Sequence, residues 1–452
     1  QVLKKTDIQN FYDAEKHVFI VTWGGRPLYT RHGSLNDRHM TSFMGVVSLF
    51  PANVERVNIL TQDDIRSFVT YDGVKFVYLI AGPLYFFCIT RTTETIEQIR
   101  NSMRYYHSLI VMTLTNVFER TLNQSPQFDM RSIFGPTDYM LLENLVNDAD
   151  ISPTYLFNSY YPLEINKNQR DEIGNIIKQC KKNANYDDNG SSNQWTKKLL
   201  YSLLFMNGAI ISYTQPKKRP LHHEDVILLS HFVKNSQSWK QSEAFTPICL
   251  PHFEPSGFVY CYVSYFGEIS NESEAVDGKQ ICMIILTLDA TSFKRCQLLR
   301  KSIEHSLFQS SLIQSIKQSY FNQYPLKTAF IVNKILKILT PEIYCFYYNN
   351  IKKKQYIYPQ PIKLYNTPIG NKTLFRRLQH LHNRIHSTPV HEVYFERCST
   401  DSAICKLQPN QFEVYIIMNS FVSKKDAQNV LNKLVNWINI HSNNLFMNGV
   451  NW

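Results

Sequence analysis

The sequence contains no apolar run long enough to cross a membrane. Its longest, VYLIAGPLYFFCI, has about 13 residues and is interrupted by Gly82 and Pro83. A membrane-spanning helix needs roughly 20 apolar residues, and the visible sequence also shows no secretory signal peptide. We therefore expect a protein without a membrane-spanning helix.

Glycine and proline are not enriched, with 15 and 19 residues among 452, so a low-complexity or disordered chain is excluded. Apolar residues make up 44% and aromatic residues 13%, which is ample material for buried cores. A chain of this length exceeds one ordinary core, and we expect two to four domains.

Acidic residues are the scarcer charged class. Lys and Arg number 48 against 37 Asp and Glu, a formal net charge of +11. This excess suits anionic lipid, nucleic acid or an acidic protein face, but it serves solubility equally well. The nine cysteines are dispersed, mostly in apolar runs such as YFFCIT and ICMIIL. We expect reduced core thiols in the cytosol.

Catalytic motifs are missing as well. A phosphate-binding loop needs spaced glycines followed by Lys and Ser or Thr, whereas Gly24-Gly25 in HVFIVTWGGRPLYTRHG precedes Arg26 and Pro27. Pro27 has no backbone N–H to offer a phosphate, so the pair predicts a hairpin turn. No G-x-S-x-G elbow appears, and no cysteine stands in a catalytic context. We predict no catalytic residue and no cofactor.

Two histidine clusters remain. His382 and His386 have the spacing of metal ligands on a helix, but Asn383 replaces the Glu of a zinc peptidase and no third ligand is indicated. We interpret the pair as partly exposed residues beside a core stripe and predict no metal site; a metal-dependent hydrolase would rest on this pair alone. The segment HHED at 222–225 stands at a predicted helix start, where acids complement the helix dipole.

What the sequence does contain is one order of elements repeated three times: strand, strand, helix, three strands, helix. In the first copy, strands at 17–22 and 27–31 precede a helix at 36–50, and Asp72-Gly73 and Gly82-Pro83 separate three further strands. A long helix then follows, with the apolar stripe Ile96, Ile99, Met103, Tyr106, Ile110, Thr113 and Val117.

The second copy opens with a hairpin on Asn207-Gly208, continues with a helix carrying Val226, Leu229 and Val233, and ends in a helix at 292–307. In the third copy, a helix at 373–386 lies between two aromatic runs and three strands, and Ser423 caps the last helix. Three α/β sandwiches of similar size follow from this order. Between the copies, DMRSIFGPTDYMLLENLV predicts an extra helix, and the polar segment 181–195 predicts a surface loop.

The strand order and several motifs resemble those of the Mon/SAND vacuolar fusion proteins, which consist of three longin domains. The motifs are KHVFIVTWGGRPLYTRHG, SFMGVVSLF, DMRSIFGPTDYMLLENLV, EAFTPICLPHFEPSGFVYCYVSYF and LVNWINIHSNNLFM, in the family's order from residue 16 to 447. The chain departs from the family pattern at Arg26 (usually Lys), Phe245 (usually Trp) and Trp23-Gly24 (usually Ala-Gly).

This resemblance implies an α/β (α+β) fold of three consecutive longin, or roadblock-like, domains, each a five-stranded mostly antiparallel sheet sandwiched by helices. The expected domains are 1–150, with the extra helix, then 151–310 and 311–452. Proteins of this family pair with a Ccz-type longin partner and act as guanine nucleotide exchange factors for a Rab-seven-type small GTPase. The implied location is cytoplasmic and peripheral on late endosome and vacuole or lysosome membranes, without a nucleic-acid partner.

The resemblance also implies where the GTPase docks, namely on the hairpin and following helix of the first domain. The expected contact residues are Arg26, Pro27, Tyr29, Arg31, Met40, Phe43 and Met44, although Phe43 and Met44 fit a core position equally well. Two basic runs are expected to meet phosphoinositide membrane: Lys217, Lys218 and Arg219, and Lys352, Lys353 and Lys354. The alternative function is a longin scaffold, tether or coat subunit without exchange activity.

Overall fold

The computed structural model describes residues 13–35, 40–47, 66–184, 194–235, 243–266, 280–323, 343–359, 365, 367–387 and 392–451. The chain divides into two compact units, Gln1–Leu156 with Glu254–Gly257, and Phe157–Phe253 with Phe258–Trp452. The first unit holds one sheet and the second holds two. The predicted helix at 36–50 and surface loop at 181–195 lie partly outside the described residues.

The first sheet has five antiparallel strands in the order β2-β1-β5-β4-β3. They are β1 Lys16–Thr22, β2 Pro27–Thr30, β3 Ser67–Val69, β4 Lys75–Ala81 and β5 Leu84–Thr90. One face of β1 presents Phe19 and Val21 to Met44, which belongs to the helical residues 40–47. The predicted order of elements is therefore present in the first domain.

The helices of the first unit are α1 Ile96–Leu114, α2 Val117–Gln124 and α3 Pro136–Ala149. Thr95 and Gln98 form a capping box at the start of α1, and the predicted stripe is buried from Ile99 to Ile110. The stripe does not continue to Val117, because α1 ends at Leu114 and Thr115 has a φ of 58°. The extra helix predicted in the first domain is α3, with Pro136 in its first turn.

The second sheet contains the strands β6 Leu199–Met206, β7 Ala209–Gln215, β8 Ala244–Ile248, β9 Val259–Tyr265 and β10 Ile281–Thr287. The short helix α4 Pro153–Phe157 belongs to the first unit up to Leu156. The helices that accompany the second sheet are α5 Lys167–Asn183, α6 His223–Asn235, α7 Phe293–Gln309 and α8 Leu312–Gln323. Asn207 and Gly208 turn the predicted hairpin with φ values of 47° and 80°. Sequence analysis missed α5, which buries Ile173, Ile177 and Cys180 in the domain core.

The third sheet has the order β12-β11-β15-β14-β13 and is antiparallel throughout. Its strands are β11 Ile343–Asn350, β12 Gln355–Ile357, β13 Val393–Arg397, β14 Asp401–Gln408 and β15 Phe412–Asn419. The helices are α9 Pro368–Ser387, α10 Lys424–Ile440 and α11 Ser442–Leu445. Ser423 caps α10 as predicted, since its hydroxyl accepts the N–H of Asp426 at 3.1 Å.

One strand departs from the predicted five per domain. The C-terminal strand β16, Val450–Asn451, pairs in parallel with β7 and gives the second sheet the order β16-β7-β6-β10-β9-β8. Gly174 of α5 makes room for Val450, because a Cβ at this position would lie 2.7 Å from the valine side chain. Residues 450–451 thus complete the second sheet, and the predicted α+β architecture of three mostly antiparallel sheets with flanking helices is confirmed.

Candidate functional sites

The glycine pair turns the hairpin between β1 and β2, as the sequence predicts. The N–H of Thr22 donates to the carbonyl of Arg26 at 2.8 Å, and the N–H of Gly25 donates back to Thr22 at 2.8 Å. Gly25 has a φ of 80°, which glycine adopts without steric cost. A Cβ on Gly24 would lie 2.1 Å from the carbonyl oxygen of Pro126. Both glycines therefore serve backbone geometry.

Four of the residues predicted to face the GTPase have buried side chains. Pro27 and Tyr29 are buried on β2, and Met40 and Met44 pack in the core with Phe19. A buried side chain reaches a partner only after the surrounding core rearranges. These four residues are therefore better placed to support a docking surface than to contact a partner directly.

Arg31, a fifth predicted contact, belongs to a largely buried charge network. Its Nη1 lies 2.5 Å from Asp150 Oδ2, while Lys16 Nζ lies 2.6 Å from Asp150 Oδ1 and 2.9 Å from Glu94 Oε2. Burial alone would raise the pKa of Asp150, but the charges of Lys16 and Arg31 hold it below its ordinary value. Arg31 thus ties β2 to the end of α3.

Two predicted contacts, Arg26 and Phe43, have exposed side chains. The Phe43 side chain is 39% exposed and meets the ring of Phe19 edge-on. Two exposed apolar residues of the same hairpin and helical segment were not predicted, Trp23 at 46% and Val46 at 58%. Their exposure could have been predicted from their positions, because Trp23 stands in a turn and Val46 follows Phe43 by nearly one helical turn.

The two basic runs lie in the second unit, where the sequence predicts loops. Lys217, Lys218 and Arg219 directly follow β7 and are exposed. Lys352, Lys353 and Lys354 form the turn between β11 and β12, with Lys352 the most exposed. Burial lowers the pKa of Lys353, and the positive charge of Arg170 lowers it further.

A cluster of histidines and carboxylates lies beside these runs. From the sequence, its acids are expected only to complement the dipole of a helix. His252 Nδ1 lies 3.1 Å from Asp225 Oδ1, and its Nε2 lies 3.0 Å from Glu224 Oε2. These hydrogen bonds, first to Asp225 and then to Glu224, raise the pKa of His252 to about 9. The His222 ring stacks on His252 at a centroid distance of 4.1 Å. The acids at the start of α6 therefore hold an imidazolium.

Both basic runs approach this cluster. Burial, and next the charge of His222, lowers the pKa of His223 to about 4. The positive charge of Lys354 also lowers this pKa. The Arg219 guanidinium lies 5.4 Å from the ring centroid of Phe253, the chain neighbour of His252. Runs that are far apart in sequence therefore border one patch of the second unit.

The other histidine pair, on α9, does have a third group beside it. His386 Nε2 lies 2.8 Å and His382 Nε2 lies 3.9 Å from Oε2 of Glu413, a buried residue of β15. Burial lowers the pKa of His382 to about 4. Burial alone would raise the pKa of Glu413. The hydrogen bond from His386 and the charges of His382 and His386 outweigh this effect and lower the pKa to about 2. The sequence indicates no third group beside the pair, and the structure places Glu413 there.

Two expectations about the whole chain concern its helices and thiols. Among the described helices, none has both the length and the apolar character to cross a bilayer. All nine cysteines lie among the described residues and form no disulfide there, and Cys398 is the one of them that is not buried. Burial raises the pKa of Cys88 and Cys345 to about 12, so these thiols are core groups rather than nucleophiles.

Family models match the three domains in chain order. The model described as the first longin domain of FUZ, MON1 and HPS1 matches residues 16–145. The models for the second and third longin domains of the same proteins match residues 197–304 and 342–442. Each of the three sheets has its main strands inside one matched range.

Curated relatives match along nearly the whole chain. Protein SAND of Takifugu rubripes is 26% identical over 96% of this chain and 76% of its own length. The vacuolar fusion protein MON1 homolog of Oryza sativa subsp. japonica is 25% identical over 96% of this chain and 75% of its own. Vacuolar fusion protein MON1 of Yarrowia lipolytica is 25% identical over 98% and 76%.

Proposed function

The chain belongs to the MON1 and SAND family of proteins with three longin domains, and on that premise we propose that it serves vacuolar fusion and membrane traffic as a nucleotide exchange subunit. Its substrate would be a late-endosomal or vacuolar Rab-seven-type GTPase, and its partner a Ccz-type longin protein. The complex would act peripherally on late endosome and vacuole or lysosome membranes, in endosome maturation, vacuole fusion and autophagy.

The observation that carries this proposal is the extent of the similarity. Relatives named vacuolar fusion protein MON1 align with 96% to 98% of this chain, so all three domains are included. Similarity of this extent supports a role that involves the three domains together. The exchange step itself is our inference from the family resemblance.

Exchange activity requires differential binding rather than an acid, a base or a nucleophile. A factor that binds the nucleotide-free GTPase more tightly than the loaded one weakens nucleotide binding by the same ratio. Opening the switch region removes magnesium and phosphate contacts, and incoming GTP restores them. Catalysis of this kind works by differential binding to one conformation of the GTPase.

The exposed residues of the first domain supply a candidate docking surface. Arg26 and Phe43 are exposed, as are Trp23 and Val46. Aromatic residues and arginine are the side chains most often found at the energetic centre of protein interfaces. We infer that Arg26 and Phe43 contact the GTPase or the partner, while Pro27, Tyr29, Met40 and Met44 support them and Arg31 fixes the edge strand.

Release of a fluorescent GDP from the GTPase tests the proposal. The chain together with its Ccz-type partner should accelerate release well above the intrinsic rate. Phe43→Ala should lower the accelerated rate roughly tenfold or more, as loss of an interface hot spot does. Phe421→Ala is the matched control, because this phenylalanine of the third domain is 91% exposed. Release at the intrinsic rate with both subunits present would rule out exchange activity.

A scaffold or tether without exchange activity is the second candidate. It is favoured by one finding, that the matching domain models are shared by FUZ, MON1 and HPS1 and so do not by themselves specify exchange. In that case the chain would bind its partner and reach the membrane, but GDP release would stay at the intrinsic rate.

A further inference from the structure

We propose that His382, His386 and Glu413 form a binding site for one divalent transition metal ion, with Zn²⁺ as the best-fitting ion. The histidines stand four residues apart on α9, and the carboxylate comes from β15, which packs against that helix. Two imidazoles and one carboxylate are a common ligand set for zinc in proteins. The proposal concerns the third domain alone and does not depend on exchange activity.

The three ligand atoms are spaced as a metal ion would require. His386 Nε2 lies 2.8 Å and His382 Nε2 lies 3.9 Å from Glu413 Oε2, and all three atoms lie within 4.8 Å of one another. A tetrahedral zinc ion with bonds of about 2.0 to 2.1 Å holds neighbouring ligand atoms roughly 3.4 Å apart. The observed distances fall on both sides of that spacing, so rotation of the side chains suffices.

Neighbouring groups hold the carboxylate in place. Asn349 Nδ2 donates to Glu413 Oε1 at 2.8 Å, and the Tyr415 hydroxyl donates to Oε2 at 2.9 Å. Both bonds lie in the interior, since Asn349 and Glu413 are 2% and 3% exposed. Hydrogen bonds of this kind orient metal ligands and are a regular part of natural metal sites. They leave Oε2 aimed at the two imidazoles.

The other histidine cluster lacks a comparable arrangement. Both ring nitrogens of His252 are taken by carboxylates, Nδ1 by Asp225 and Nε2 by Glu224. An imidazole that donates from both nitrogens is an imidazolium, which has no lone pair for a metal. In the α9 cluster, by contrast, both histidines turn the same nitrogen, Nε2, toward a single carboxylate oxygen.

The bound ion would act as a structural connection. It would join α9 to β15 beneath Phe157, whose ring lies 5.8 Å from Tyr415 and 6.1 Å from His382. Three protein ligands leave the fourth position to water, and the 40% exposure of the His386 side chain provides a route for the ion. Asn383 occupies the place of a peptidase base, so the site binds metal without hydrolysing peptides.

Metal binding to the full chain, purified without a histidine tag and stripped with a chelator, tests the site. We expect one equivalent of Zn²⁺ to bind, and Co²⁺ to give the visible absorption of a nitrogen- and oxygen-ligated site. His386→Gln removes one ligand from the exposed side of the site and should weaken Zn²⁺ affinity more than roughly tenfold. Added Zn²⁺ should raise the Tm of the wild-type chain but not of this variant.

His380→Gln is the matched control, because His380 is another histidine of α9 and lies 3.0 Å from a carboxylate oxygen of Glu396. This variant should bind one Zn²⁺ with wild-type affinity. The site is refuted if the wild-type chain binds no stoichiometric metal, or if His386→Gln binds as tightly as His380→Gln. Because the wild-type result alone can refute the site, a folding defect in a variant leaves the test intact.

Discussion

Asp150 illustrates how a single residue can connect distant parts of the first domain. It accepts Lys16 from β1 and Arg31 after β2 at 2.6 and 2.5 Å, and it directly follows α3. The side chains of Lys16 and Arg31 are only 5% and 17% exposed, so water solvates neither charge well. The carboxylate therefore allows both charges to lie in the interior.

Asp150→Asn removes that charge with little change in shape. We expect a loss of about 3 kcal/mol in local stability, because Arg31 loses its carboxylate while Lys16 keeps only Glu94. Hydrogen exchange of the β1 amides in the full chain measures the loss as a lower opening free energy. Glu97→Gln breaks a pair with Arg104 whose side chains are 62% and 52% exposed, and should cost at most about 1 kcal/mol. Equal effects would contradict a special role for Asp150.

His252 provides a pH-dependent contribution to stability. Its folded pKa of about 9 lies above the ordinary value, so its contribution is complete below about pH 6.5 and disappears as the pH rises through about 9. Asp225 and Glu224 act on His252 directly, and the His222 ring stacks against it. His222 and His223 interact electrostatically with His252, and Lys354 acts on those two histidines.

The variant His252→Gln should therefore have a lower Tm than the wild-type chain at about pH 6 and nearly the same Tm at about pH 10. Thermal unfolding of both proteins across this range provides the comparison. A Tm difference that stays constant with pH would show that His252 acts through packing alone.

The residues of the first domain also show which side-chain roles a sequence can predict. Met40 and Met44 at helical spacing indicated an apolar face, but the same pattern fitted a docking face and a core. Only the rotation of the helical residues 40–47 on the sheet distinguishes buried Met44 from half-exposed Phe43. That rotation is set by contacts with β1, which lie outside the local sequence.

Among the elements, those marked by local signals were predicted and those made by distant contacts were not. Asn207-Gly208 and Asp72-Gly73 fix two hairpins through backbone preferences alone. The strand β16, in contrast, has only two residues, too few to predict a strand from the sequence. It forms because the end of β7 at Thr214 and Gln215 offers an edge and Gly174 leaves room, and both are tertiary features.

Substitution at Gly174 tests this account of β16. In Gly174→Leu, the new side chain meets Val450 at once, because a Cβ would already lie 2.7 Å from it. We expect a loss of about 1 to 3 kcal/mol from overpacking and faster hydrogen exchange in the last residues of the chain. The control is Gly45→Leu, since nothing lies within 4 Å of a Cβ at Gly45. Unchanged exchange at β16 in Gly174→Leu would contradict the account.

At the scale of the whole molecule, the chain has a net charge of +11, and two of its basic runs lie in the second unit. The run 217–219 and the turn 352–354 border the same histidine cluster. Concentrating cations from two distant loops increases attraction to an anionic surface more than the same charges spread over the protein would. This arrangement supports the proposed contact with phosphoinositide membranes.

Vesicle sedimentation can measure that contact. Lys217→Ala combined with Lys352→Ala should lower partitioning onto phosphoinositide vesicles roughly tenfold or more, at about 1 kcal/mol per lysine. Lys424→Ala combined with Lys425→Ala removes the same charge from exposed positions at the start of α10 and should have little effect. Equal losses from both pairs would indicate an effect of net charge instead of a defined surface.

We propose that this chain, with a Ccz-type partner, acts by binding one state of a Rab-seven-type GTPase in preference to another. The most direct measurement compares the affinity of the heterodimer for the nucleotide-free and the GDP-loaded GTPase. Because linkage is reciprocal, we predict much tighter binding to the nucleotide-free form, and an equal ratio by which the heterodimer weakens GDP binding. Equal affinities for the two forms would contradict the exchange function.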